Sequence, residues 1–195
     1  MKLILASASP RRAEILRNAG IDFEILPADV DESARPGESA KDYVRRLAEK
    51  KARAAGQLAA KSSRDSAVVV AADTTVVLES EILGKPATAD DARAMLRRLS
   101  GRTHEVLTGL AVLPLPGLEI HLAVETTRVT FAPMSEREID EYVASGEPFD
   151  KAGAYAIQGR GGKFITRIEG CYFNVMGLPL ARLYSMLREL ERKNG

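Results

Sequence analysis

Apolar residues recur along this chain in two rhythms, and each change of rhythm marks an element. Continuous apolar runs at 3–6 and 66–79, the latter reading SAVVVAADTTVVLE, predict buried strands, the second covered on both faces. Helical spacing governs 10–19, where Ile15 and Leu16 face inward and Gly20 marks the end. It returns at 39–61, where Tyr43, Val44, Leu47 and a series of alanines follow Ser39 as the cap. A third helix is predicted at 89–99, capped by Thr88 and stopped by Gly101, and a fourth, ending near Ala144, opens at the capping-box pair Ser135 and Glu138. The chain closes with a helix over 179–192. Long β segments at 103–114 and 118–131 are joined by PLPG as a hairpin, and short strands are predicted at 23–27, 163–168 and 171–176. Two stretches lack periodicity: the acidic 29–38 and the glycine-rich 146–162, the latter read as a long functional loop. Crossovers mixed with hairpins predict an α/β fold on a mixed sheet, one domain over 1–195 with two lobes and a cleft.

The helix opening at 10 starts against electrostatic preference. Ser9 suits the N-cap and Pro10 the first helical position, but Arg11 and Arg12 place two cations where the helix already carries about half a positive charge. Each costs on the order of 0.3–1 kcal/mol when exposed, a cost that vanishes if an anion sits among Ser7, Ser9, the free N–H groups and the guanidiniums. The stretch reads either as a phosphate seat or as two solvated arginines turned away from the axis.

Composition adds bounds. The 195 residues are 45% hydrophobic and 28% charged, enough for a self-sufficient core. Basic residues number 28 against 27 acidic ones, a formal net charge of +1, so no nucleic-acid or membrane-surface partner is expected and any anion site is local. Cys171 is the single cysteine, which excludes an internal disulfide and suits a reducing, cytoplasmic setting; no signal peptide or membrane span is expected at the start. With only His104 and His121, one chain cannot build a multi-histidine metal site, and neither has an evident nucleophilic partner.

Asp73 is the sharpest chemical signal. Inside valines and alanines a carboxylate must be solvated, paired or bound to a cation, unless the strand ends at Ala72 and Asp73 turns with the threonines after it. Asp31 and Glu32 alone read as solvated loop acids. Combined with Asp73 they form the sparse acidic set that Mg²⁺ takes alongside waters and phosphate oxygens. Lys51, in EKKARA, has the setting of an exposed helix charge, whereas Lys85 in GKP sits on a short turn from which it can reach a phosphate. No G-x-x-x-x-G-K-[ST] occurs, and GRGG at 159–162 lacks a strand-to-helix context.

SASPRR at 7–12, EKKARA at 49–54, AADT at 71–74, GKP at 84–86, LSGRTHEVLTG at 99–109 and DKAGAYAIQG at 150–159 occur in an order that resembles the Maf family of nucleotide pyrophosphatases, also called septum formation inhibitors. The resemblance runs from about residue 3 to 188. It implies a long mixed twisted sheet with helices on both sides, two lobes around a nucleotide cleft, similar to inosine triphosphate pyrophosphatases. It implies hydrolysis of a nucleoside triphosphate to monophosphate and pyrophosphate with a divalent metal, Mg²⁺ or Mn²⁺, and favours a homodimer; the alternative is a nucleotide-binding regulator of septation with incidental hydrolysis. By matching motif, Asp73 is the implied general base, Arg12 a substrate contact, and Thr74 and Gln158 the residues of base choice. Ser7, Arg11, Lys51 and Lys85 fall at phosphate contacts and Glu32, with Asp73, at the metal. AADT with YAIQG is similar to the branch acting on dTTP and UTP, whose sister branch, acting on 7-methylguanosine triphosphate, carries a glutamate matching Gln158. One amide answers the O4 acceptor and N3–H donor of uracil or thymine. Flipped, it answers cytosine as well, so another group must exclude CTP.

Overall fold

Strand β1 (Lys2–Leu5) opens the chain and α1 (Pro10–Asn18) follows it, then β2 (Glu24–Ile25), α2 (Ala40–Lys61), β3 (Ala67–Leu78) and β4 (Glu81–Leu83). After these come α3 (Ala89–Leu99), β5 (Thr103–Pro114), β6 (His121–Phe131), α4 (Glu136–Ala144), β7 (Ile165–Glu169), α5 (Tyr172–Met176) and α6 (Leu180–Asn194). This is a computed structural model, and it describes residues 2–61, 67–117 and 119–194; Ser66 and Leu118, the predicted first residues of two strands, lie outside the described residues. Among the described residues the sheet has seven strands in the order β2-β1-β3-β5-β6-β7, with β4 paired to β3 off this path. It is mixed: β1 runs parallel to β2 and β3, while β3–β4 and β6–β7 are antiparallel. No helix among the described residues is long and apolar enough to cross a membrane.

The chain forms two compact units. One comprises 1–73, 108–125 and 177–195, the other 74–107 and 126–176, so the chain passes between them inside β3, β5 and β6 and once more between α5 and α6.

In the first unit, α2 turns Ala48, Ala52, Ala55 and Ala59 toward Ile4, Val69, Ala71, Ala111 and Leu113 of the sheet. A small-residue face lets the helix backbone lie close to the strands, and Gly109 of β5 shows how close, since a Cβ there would collide with the Val44 carbonyl of α2. The height of α2 over the sheet is thereby fixed. The predicted cap on α2 holds: Ser39 Oγ accepts from the Asp42 N–H at 3.1 Å.

In the second unit, α3 and α4 both start in complete capping boxes, at Thr88 with Asp91 and at Ser135 with Glu138. Their apolar faces, Ala92, Leu96 and Leu99 with Ile139, Tyr142 and Val143, share a core with Val106, Val129, Phe131, Tyr155 and Phe164. His104, Phe131 and Tyr155 meet edge to face, with ring centroids 4.9–5.3 Å apart.

Two sequence readings are corrected, and one strand is added. Residues 171–176 form no strand; Tyr172–Met176 is helical, because Asn174 is buried and its Nδ2 donates to the Val106 carbonyl (2.9 Å) and Thr127 Oγ1 (3.0 Å), partners that override the β propensity of Tyr172, Phe173 and Val175. The predicted 23–27 strand shrinks to Glu24–Ile25. The strand predicted over 66–79 holds as β3, which runs through Asp73 to Leu78 and excludes the alternative of a stop at Ala72; it then turns back as β4, absent from the sequence reading, through Glu79 and Ser80, both left-handed (φ 51° and 71°), a hairpin that no glycine announces.

His104 lies within β5 as a buried strand residue. Its Nε2 is 2.8 Å from the Tyr155 hydroxyl, its Nδ1 has no hydrogen-bond partner among the described residues, and burial pulls its pKa down to about 4. The folded state thus prefers the neutral ring, so the stability this contributes is present above pH 6.5 and lost as pH falls from 6.5 to 4, amounting to about 3 kcal/mol. Urea midpoints measured between pH 7.5 and 4 are expected to fall less steeply for His104→Phe than for the wild type.

Candidate active site

The anomalous start of α1 resolves into a specific arrangement. Ser9 occupies the N-cap with extended backbone but makes no side-chain cap bond, contrary to its expected role. Its N–H instead donates to Ser7 Oγ at 3.2 Å, and that oxygen also accepts from Arg12 Nη1 at 3.1 Å. Arg12 Nε donates to the Gly177 carbonyl at 2.7 Å. Arg12 is therefore folded back against the chain. Burial lowers its pKa, the charge of Asp73 opposes that most strongly, neighbouring Arg11 adds to the lowering, and Glu32 supports the charge. No acidic side chain sits in the first turn of α1.

Asp73 is buried in β3, and the cation that stabilises it comes from α2. Lys51 Nζ stands 2.6 Å from Asp73 Oδ1 and 2.6 Å from Glu32 Oε1, so one ammonium joins the strand carboxylate to the loop carboxylate. The Lys51 and Asp73 side chains are only 13% and 11% exposed, against 52% for Glu32, which makes the Lys51–Asp73 contact the stronger half of the bridge. Lys51 is thus no surface charge, whatever its EKKARA setting suggests.

The acidic loop reaches this point because α2 grips it by its backbone. Lys50 Nζ donates to the Asp31 carbonyl (3.3 Å), the Tyr43 hydroxyl to the Glu32 carbonyl (3.0 Å) and Arg46 Nη2 to the Ser33 carbonyl (3.1 Å). Three successive carbonyls are held from one helical face. Arg46 also pairs through two nitrogens with Glu38, whose pKa that hydrogen bonding brings down to about 2. Asp31 does not join Asp73; its carboxylate accepts from the Ser33 N–H (3.0 Å), and its pKa is lowered chiefly by its hydrogen bonds with Ser33. The sequence reading missed Tyr43, Arg46 and Lys50 as parts of the site. Burial, with the charges of Asp73 and Glu32, raises the Tyr43 pKa.

The remaining predicted residues belong to the second unit. Thr74 follows Asp73 in β3 and is half-buried, while Lys85 and Gln158 are exposed. The turn bearing Lys85 is tied to the 150–154 segment by the Gly153 N–H donating to the Gly84 carbonyl at 3.0 Å.

Among the described residues no group of three or more His, Cys, Asp or Glu side chains gathers as a metal set. Glu32 and Asp73 do converge on one point, marked by the Lys51 nitrogen, and two carboxylates suit Mg²⁺ or Mn²⁺ when phosphate and water complete the shell.

Compared with protein families, residues 2–190 match Maf, described as "Maf-like protein". The chain belongs to the Maf family. Among curated Maf relatives, the dTTP/UTP pyrophosphatase of Koribacter versatilis is 53% identical over 96% of this chain and 94% of its own length. That of Hahella chejuensis is 50% identical over 96% and 92%, and that of Carboxydothermus hydrogenoformans 49% over 97% and 98%. Among solved structures, the Staphylococcus aureus Ham1 protein aligns over 97% of this chain and 99% of its own, at 14% identity and a TM-score of 0.48. Membership of the Maf family rests on the sequence matches.

Removing Lys51 strands Asp73 in its strand. Lys51→Met is expected to lower stability by ~1–3 kcal/mol at pH 7, and adding Asp73→Asn is expected to recover part of that loss. A double-mutant cycle by urea denaturation measures the coupling.

Proposed function

We propose that this protein hydrolyses dTTP and UTP to the nucleoside monophosphate and pyrophosphate. The observation that carries the reading is the convergence of Asp73 and Glu32 on Lys51, with Arg12 held in the same electrostatic neighbourhood. It combines a fixed carboxylate with cations suited to a polyanion. The names of the curated relatives, dTTP/UTP pyrophosphatases at about half identity over nearly the whole chain, supply the substrate class.

In the proposed reaction Ser7, Arg11, Arg12 and Lys51 contact the triphosphate and offset its charge, and Lys85 adds a point charge to it. Asp73 takes the proton of a water as the water oxygen attacks the α-phosphorus. The bond from that phosphorus to the α–β bridging oxygen breaks, and pyrophosphate departs with the electron pair. Glu32 and Asp73 are the residues that would hold Mg²⁺ or Mn²⁺, which when bound supplies charge neutralisation on the phosphoryl oxygens. Thr74 and Gln158 are proposed to face the base, with the Gln158 amide pairing to the O4 acceptor and N3–H donor of uracil or thymine.

Asn at 73 can still accept from Lys51 but cannot take a proton. Asp73→Asn is therefore expected to keep the melting temperature within a few degrees and to lower kcat for UTP by roughly 10²–10⁴-fold, read by pyrophosphate release. Turnover in H₂¹⁸O is expected to place the label in the monophosphate and none in pyrophosphate; label in pyrophosphate would rule out attack at the α-phosphorus.

A further inference from the structure

The GRGG run at 159–162 does not open a phosphate-binding helix; its last three residues begin a short 3₁₀ turn, Arg160–Phe164. Its glycines answer to a carboxylate. Glu147 Oε2 accepts from the Arg160 N–H at 2.9 Å, and Oε1 accepts from the Gly161 N–H at 3.0 Å and from the Tyr142 hydroxyl at 2.8 Å. The Tyr142 hydroxyl accepts in turn from the Ala156 N–H at 3.1 Å. The backbone on both sides of Ile157, Gln158 and Gly159 is thus tied to one pair of side chains. A Cβ on Gly159 would collide with the Glu147 carboxylate, and one on Gly161 would stand 2.6 Å from the Tyr142 hydroxyl, so the sequence there leaves room for the carboxylate and little else. Burial works against the Glu147 charge, yet these hydrogen bonds outweigh it and keep the pKa below the ordinary glutamate value. Tyr142 is buried and Glu147 partly so, while Gln158, between the tethered ends, is exposed.

We propose that Glu147 is the positioning residue for the Gln158 turn, so that selection between pyrimidine bases depends on a carboxylate acting through Tyr142 and the loop amides. This rests on the reading of Gln158 as the base-pairing amide. An amide distinguishes uracil from cytosine only by which end, C=O or NH₂, meets which edge of the base, and that order is lost if the turn can shift or rotate. Misplacement of a pairing group by about 1 Å can cost on the order of 10²-fold. The phosphate contacts lie on other segments and are not expected to feel the change.

The test compares kcat/KM for UTP and CTP, together with the inhibition constant of inorganic tripolyphosphate, in wild type, Gln158→Ala, Glu147→Ala and Glu147→Gln, each checked for folding by thermal melting. Glu147→Ala is expected to narrow the UTP-to-CTP preference about tenfold or more while tripolyphosphate inhibition stays within about twofold. Glu147→Gln, which keeps one acceptor oxygen for the loop amides, is expected to fall between. If Glu147→Ala does not fold, Tyr142→Phe, which removes one hydroxyl from the same chain of bonds, must narrow the preference or the proposal fails. A preference lost in Gln158→Ala but intact in folded Glu147→Ala overturns the proposal alone. A preference unchanged in Gln158→Ala overturns the base-pairing reading, and the proposal with it.

Discussion

A negative charge buried in a valine-rich strand persists only where a positive charge reaches it, and here that reach is made by Lys51. The contact between Lys51 and Asp73 is the condition for β3 to run uninterrupted through a carboxylate. The same ammonium draws in Glu32 from a loop with no regular structure of its own. One side chain therefore joins both acids, and the charge of each supports the buried guanidinium of Arg12.

The helix that carries Lys51 does more than present it. Tyr43, Arg46 and Lys50 hold three consecutive carbonyls of the acidic loop, so Glu32 arrives at Lys51 with its backbone already fixed from the same helix. A long irregular loop would otherwise lose considerable entropy on placing one carboxylate. In the second unit a related device operates in reverse, with a side-chain carboxylate, Glu147, collecting backbone amides around the turn of Gln158. Both units fix a loop by pairing side chains of a helix, or of the segment just after it, with the loop backbone.

Much of this fold was legible because the strongest patterns were local. The apolar run of β3, the capping boxes of α3 and α4 and the alanine face of α2 each declare themselves within a few turns or pleats. The failures were places where distant partners decide. Tyr172–Met176 has strand-like composition and is a helix because Asn174 bonds to Val106 and Thr127, and β4 escaped notice because its turn uses Glu79 and Ser80 in left-handed conformations usually left to glycine or asparagine. For the site, Asp73 and the SASPRR start stood out because both violate ordinary placement rules. Lys51 did not, since EKKARA obeys the rules for an exposed helix, and the carbonyl grips of Tyr43, Arg46 and Lys50 span sequence separations of 11 to 19 residues that no local pattern encodes.

Gly109 touches none of the charged groups, yet it acts as their shim. Because the strand has no side chain at that point, the backbone of α2 rests directly on the sheet, and Lys51 together with the loop clamped to α2 rides at that level. Even a methyl group inserted there would jack the helix away from β5, carrying the ammonium and Glu32 upward as a single piece while Asp73 stayed behind in its strand. The gap across the ion pair is thus governed from underneath, by the missing atom of a residue that has no chemistry of its own.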